Sequence, residues 1–139
     1  MIRVATIDDL SAVLRIYSCR YESGDAETMK YSLDDWRWYL INPSVILLVH
    51  DIDGEVVAFS FTYDMGIWGY MEHIVVDEAH RHNGYARSLV EHTMRLGKER
   101  GWRLLEACYY AELGQMKTFF EKLGWQDGGI STRWVFLEA

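Results

Sequence analysis

The sequence predicts an α+β domain whose sheet begins as an antiparallel meander. Three observations carry that expectation. Strand-length apolar runs recur between residues 45 and 76 with short turns between them. Directly after Val76 the apolar period changes from 2 to 3.6. The chain has 139 residues, which suits one globular unit at roughly 100–200 residues per domain. Pro43 is the only proline, and no Gly/Ser linker, repeat or low-complexity tract divides the chain, so a single domain over 1–139 is expected.

Taken in order, residues 2–5 alternate weakly and read as a short first strand. Thr6 with Asp9 three residues on has the form of a capping box. Ile7, Leu10, Val13, Leu14, Tyr17 and Tyr21 then recur at helical spacing, so a first helix ends before Gly24. Ser32 with Asp35 opens a second, shorter helix with Trp36, Tyr39 and Leu40 on one face, and Asn42-Pro43 stops it. Residues 45–49 are a continuous apolar run. Asp51-Ile52-Asp53-Gly54 signals a hairpin because Asp-Gly accepts the positive φ of tight turns. Residues 55–63 and 70–76 supply the next two strands. Ala86, Leu89, Val90, Thr93, Met94 and Gly97 mark a long helix ending near Gly101, with Lys98 and Arg100 complementing its C-terminal dipole. A strand over 102–108, a helix ending at Gly124 and a strand over 133–137 complete the order β-α-α-β-β-β-α-β-α-β.

The composition is 50% hydrophobic and 14% aromatic, ample for a packed core and incompatible with intrinsic disorder. A formal charge of −7 argues against direct nucleic-acid binding, which depends on Lys and Arg displacing condensed counterions. A cationic small molecule or a Lys-bearing protein suits that charge better. Cys19 and Cys108 lack CxxC spacing, and reduced thiols in a cytoplasmic protein are expected. The opening residues are too polar for a signal peptide, and no apolar run reaches the ~18 residues of a membrane span.

The segment that carries chemistry is Ile74-Val75-Val76-Asp77-Glu78-Ala79-His80-Arg81-His82-Asn83-Gly84-Tyr85-Ala86. A strand empties into a short loop, and the loop opens a long amphipathic helix. Helix N-termini leave N–H groups unpaired and attract anions. Gly84 removes a Cβ from the approach, Ala86 is small, and Arg81 adds positive charge, so the segment reads as a pyrophosphate cradle. The spacing of Arg81, Gly84 and Ala86 resembles the acetyl-CoA signature of the GCN5-related N-acetyltransferases, the GNAT superfamily. Residues 74–78 resemble that family's strand and turn, residues 2–10 its usual opening, and Phe119-Phe120-Glu121-Lys122-Leu123-Gly124-Trp125 its closing motif.

The resemblance implies a three-layer α/β/α fold on a mixed, mostly antiparallel twisted sheet with about four helices. The sheet would splay beside residues 74–76 to admit a pantetheine arm. It also implies acetyl-CoA as cosubstrate, with Ile74, Val75, Val76, Arg81, His82, Asn83, Gly84, Tyr85 and Ala86 as binding residues. The implied reaction is direct attack of a primary amine on the thioester. Glu72 is the candidate base, read by strand alternation as sharing a face with Ile74; orienting the acceptor or standing as a solvated residue are the other readings. His73 then points to the other face as a core-edge histidine. Many members carry Tyr where this chain has Phe120, which has no hydroxyl to donate. Tyr109, Tyr110 or Cys108 are candidate substitutes, and a non-catalytic CoA-binding or interaction module is the alternative function.

His80, His82 and His92 with Glu78 match no common metal-ligand spacing, and no metal is expected. Residues 22–39 interleave acids with Trp and Tyr. They could hold an ammonium group, or Asp34 and Asp35 could simply cap a helix over packed aromatics. A homodimer that completes the acceptor pocket is a further possibility.

Overall fold

The computed structural model describes residues 1–21, 31–108 and 114–128 of the chain. Its sheet runs in the order of the sequence: β1 (Ile2–Val4), β2 (Val45–Ile52), β3 (Glu55–Asp64), β4 (Gly69–Val76) and β5 (Leu105–Ala107). The first four strands pair antiparallel, and β5 joins β4 in parallel. Parallel neighbours need a crossover, and the long helix supplies it. The helices are α1 (Leu10–Tyr21), α2 (Leu33–Ile41), α3 (Tyr85–Arg100) and α4 (Gly114–Lys122). Mixed sheet and helices agree with the expected α+β fold. The strand expected over 133–137 lies outside the described residues. The chain forms two compact units, Met1–Cys108 and Tyr109–Ala139, and β1–β5 with α1–α3 belong to the first. None of the described helices is long and apolar enough to cross a membrane.

The turn chemistry acts as expected. Asp53 and Gly54 both have positive φ, 52° and 87°, and the Asp51 carboxylate accepts from the Gly54 N–H at 2.7 Å. Two successive left-handed residues match the twist of the flanking strands. At the N-terminus of α2, the Ser32 hydroxyl accepts from Asp35 N at 3.2 Å and the Asp35 carboxylate accepts from Ser32 N at 2.7 Å, a complete capping box. Arg3 reaches across β1 to both Asp9 and Asp51, at 2.7 and 3.0 Å, and ties the start of α1 to the first hairpin.

Each sheet face has its own layer. Leu47, Val49, Phe59, Phe61 and Val75 share a core with Leu10, Val13, Ile16 and Tyr17 of α1 and with Trp36 of α2. Trp36 is fully buried, edge-on to Tyr17, Phe59 and Phe61. Burying each such large side chain contributes about 1.5–3 kcal/mol. The opposite face carries α3, whose Leu89, Val90, Thr93 and Gly97 are buried. Two residues of the expected helix faces are instead exposed. Ile7 sits in the 3-10 turn that precedes α1, and Met94 lies at the edge of the α3 contact.

The strand expected over 102–108 is shorter, because Trp102 is used as a wedge. Its indole lies against Gly69 of β4 and Gly97 of α3, where even a Cβ would collide with the ring. Its Nε1 donates to the Asp64 carboxylate at 3.0 Å, and Arg100 pairs with the same carboxylate at 2.8 Å. Regular pairing begins only at Leu105.

Gly97→Ala tests this packing, since two effects oppose each other. Ala favours a helix interior by about 1 kcal/mol over Gly, whereas overpacking against a stiff ring costs about 1–3 kcal/mol. The collision dominates, so thermal unfolding is expected to begin several degrees lower in the variant, and part of that loss should vanish in the Trp102→Ala background.

Candidate functional site

β4 ends at Val76, and a short 3-10 turn, Glu78–His80, leads into the loop before α3. Asp77 organises the turn. Its N–H donates to Val57 O at 2.8 Å, and its carboxylate receives His80 Nδ1 at 2.7 Å and Arg15 at 3.4 Å. Asn83 Nδ2 donates to His80 O at 2.9 Å and Arg81 O at 3.3 Å, so its side chain holds the loop together. Arg81 Nε donates to Val76 O at 3.4 Å, which keeps the guanidinium beside the strand end.

The loop turns through two left-handed residues, His82 at φ 67° and Gly84 at φ 79°. Gly84 is the N-cap of α3, and its carbonyl accepts from Ser88 N at 3.0 Å. The N–H groups of Tyr85, Ala86 and Arg87 therefore precede the first intrahelical bond. A Cβ built on Gly84 would meet nothing within 4 Å, so the approach to these donors is open. The Tyr85 ring instead turns inward onto His50, 4.7 Å between centroids, and only its backbone faces the loop's task. The donors, the open approach and Arg81 fit a pyrophosphate group.

Upstream of the loop, β4 contains an irregularity that the alternation did not reveal. Phe61 pairs with His73 and Thr62 with Met71, so Glu72 stands opposite no residue of β3. Such a bulge inserts one residue and re-aims its side chain. Glu72 consequently does not share a face with Ile74, as strict alternation predicts; it lies on the α1/α2 side, near enough to Tyr31 and Tyr63 for its charge to act on both. His73 occupies that same side, its ring edge-on to Tyr17 at 5.3 Å and to Phe61 at 5.8 Å. The core-edge reading of His73 fits these contacts, but the two residues are not on opposite faces.

Around Glu72 stand Tyr31, Tyr63 and Tyr70, with the Tyr39 ring edge-on to Tyr31 at 5.8 Å. Burial raises the Glu72 carboxyl above the usual carboxylate range, and the Tyr63 hydroxyl works against that rise. Burial, then the negative field of Glu72, holds the Tyr31 and Tyr63 phenols above their ordinary value; burial and the contact with Cys108 do the same for Tyr70. All three stay protonated donors at neutral pH. A half-buried carboxylate ringed by phenols can accept a proton, and the ring faces can support a cation.

The described pairing of β4 with β5 covers Gly69, Tyr70 and Met71, and Cys108 N adds a bond to Met71 O at 3.3 Å. β4 continues to Val76 in register with β3. Ile74 and Val75 are buried, Val75 in the α1-side core. Tyr109 and Tyr110 lie outside the described residues. In the second unit Phe120 packs on Phe119 and Trp125, at 5.1 and 4.8 Å. Of the acids that seemed available for an acceptor, Asp35 caps α2 and Asp34 pairs with Arg37 at 2.9 Å. Residues 22–30, with the remaining acids of that stretch, lie outside the described residues. The tyrosines around Glu72 were the part that spacing did not show, since they come from three separate elements.

The family model described as Acetyltransferase (GNAT) family matches residues 10–125, and the chain belongs to that family. No curated protein matches the sequence. Among solved structures the chain is similar to the tetramutant of the BH1408 protein from Bacillus halodurans, with TM-score 0.84 and 19% identity over 98% of this chain and 99% of that one. It is also similar to the aminoglycoside acetyltransferase meta-AAC0020 from an uncultured soil metagenomic sample, with TM-score 0.84 and 13% identity over 99% and 96% of the two chains. A third likeness is to the PaiA N-acetyltransferase from Thermoplasma acidophilum in complex with coenzyme A, with TM-score 0.81 and 16% identity over 92% of each chain. These likenesses show the fold. The family membership makes the protein an acetyltransferase with acetyl-CoA as cosubstrate.

Proposed function

We propose that the chain acetylates a primary amine carried by a small cationic molecule or a protein, with Glu72 as general base. The observation that carries this reading is the half-buried Glu72 carboxylate, turned by the β4 bulge into a cluster of tyrosines. Acetyl-CoA supplies an activated thioester, its pyrophosphate held by the N–H groups ahead of α3, by Arg81 and by the space above Gly84. Residues 74–76 offer backbone to the pantetheine arm, and His82, Asn83, Tyr85 and Ala86 shape the loop. The acceptor reaches Glu72 as an ammonium group favoured by the carboxylate and the tyrosine faces. Glu72 takes one proton from the ammonium and returns it to water, the amine nitrogen bonds to the acetyl carbon, the carbon–sulfur bond breaks as a proton passes to the departing thiolate, and the second nitrogen proton replaces the one the thiolate received. Phe120 cannot supply the thiolate's proton, so Tyr109 or Tyr110 is proposed as its source.

A thiol-release assay against polyamines, aminoglycosides, amino acids and Lys peptides tests the proposal. Acceptor-dependent release with at least one amine class is expected; CoA binding with no release across the panel would overturn it. Glu72→Gln should lower kcat by about 10²–10⁴-fold, the usual contribution of a positioned base. The loss should shrink as pH falls through the raised Glu72 titration, where the wild-type carboxyl is itself protonated and cannot act as base, and an unaltered pH–rate profile would remove Glu72 from the reaction.

Gly84→Leu addresses the cosubstrate site separately. A side chain at φ 79° costs about 1–2 kcal/mol, while the ligand-side space it fills is where phosphate must sit. Calorimetric titration should show CoA affinity reduced at least tenfold with the circular dichroism spectrum retained. Full affinity in that variant would place the pyrophosphate elsewhere.

A further inference from the structure

Resting on the reading of the loop before α3 as the pyrophosphate site, we propose that His50 and the Tyr85 ring are positioning residues for the cosubstrate: the ring, seated on the His50 imidazole, holds the first turn of α3 so that its N–H groups face the phosphates. Tyr85 is the first residue of α3, directly after the Gly84 N-cap. Gly84 has no side chain to cap the helix, so the first turn must be held by something else. The Tyr85 ring lies on His50, with 4.7 Å between centroids and planes 53° apart.

The place of His50 in the sheet suits that task. The register sets Ile2, His50, Ala58 and Val76 side by side on β1 to β4, so His50 shares a row with the last residue of β4. Ala58, fully buried, brings only a methyl group between them. Val49, Phe59 and Val75, each one position along its strand, belong to the α1-side core, so the row faces α3. Just beyond it, Asp77 N donates to Val57 O at 2.8 Å, which pins the start of the loop to the same part of β3. His50 is 9% exposed and its Nδ1 has no hydrogen-bond partner among the described residues, so ring contact rather than a bond from Nδ1 joins it to Tyr85.

The groups that face His50 come from each neighbouring element. β1 brings the N-terminal ammonium of Met1, β2 brings Asp51, held by Arg3 at 3.0 Å, β3 brings the apolar Ala58, and α3 brings the Tyr85 phenol. Burial first, then the Met1 ammonium, hold the imidazole below its ordinary range, and Asp51 opposes them. The seated form therefore carries a neutral ring at neutral pH. A depressed imidazole favours that form above the ordinary value of about 6.5, and the preference is lost as pH falls through its own titration.

Calorimetric titration of the free protein with CoA tests the seat. Tyr85→Ala should weaken CoA by roughly fivefold or more, the scale of one aromatic pair, whereas Tyr85→Phe, which keeps the ring, should restore the affinity to within about twofold. His50→Ala should lose a similar factor, and the double variant should lose no more than the worse single one, because both remove one contact. Losses that multiply, or full affinity in Tyr85→Ala, overturn the proposal. The pH profile is a readout that a general packing defect does not move. Between about pH 7 and 5 the affinity of the unaltered protein should fall more steeply than that of His50→Phe, which keeps a ring and cannot be protonated. Parallel profiles overturn the role of His50, and this comparison stands even where circular dichroism shows the alanine variants unfolded. Gly84→Leu separates the two readings. Full CoA affinity there removes the loop and this proposal with it; a loss there beside an unaltered Tyr85→Ala overturns the seat alone.

Discussion

One extra residue in β4 is the constraint on which the rest of the site depends. Strict alternation from Ile74 would send Glu72 to the α3 side of the sheet, against a layer that buries Leu89 and Val90. An ionised carboxylate there would lack compensation and would neutralise. The offset between Phe61↔His73 and Thr62↔Met71 instead turns it toward phenols that can donate. The same offset separates two duties of the strand. Its first three residues hold β5, and its last three lead into the loop before α3.

Because one strand carries both parts, their spacing is fixed by backbone geometry rather than by loops. Glu72 lies four positions before Val76, about 13 Å at roughly 3.3 Å per residue. The α3 loop begins directly beyond. Asp77, His80 and Asn83 spend their side chains on the loop's own backbone or neighbours, leaving main-chain donors and the rest of the Arg81 guanidinium for a ligand.

Most of the fold was legible in the sequence because its signals were local. Asp53-Gly54 specified a turn, Ser32 with Asp35 a helix start, and the change of period after Val76 the passage from strand to helix. The loop was legible for the same reason, as Arg81, Gly84 and Ala86 lie within six residues of one another. The face of Glu72 was not. A bulge depends on how two strands register, and nothing in Tyr70-Met71-Glu72-His73 marks the extra residue. Trp102 misled in a similar way: an aromatic residue suits a strand by propensity, yet the cavity that claims it is made by Gly69 and Gly97, 33 and 5 residues earlier in the chain. The tyrosine cluster likewise draws on the segment before α2, on α2, on β3 and on β4, and no sequence window contains it.

The net charge of −7 acquires a narrower role once these positions are known. Exposed charges such as Asp34 and Glu91 already have partners in Arg37 and Arg87, and beyond a Debye length of about 8 Å at physiological salt their fields are largely screened. Such a surface can raise the encounter rate of a cationic acceptor without choosing where its nitrogen comes to rest. On the proposed reading that choice falls to the half-buried Glu72 carboxylate. The burial that raises its affinity for a proton acts on it locally, so the acid proposed as base is governed by its immediate surroundings and scarcely by the overall charge.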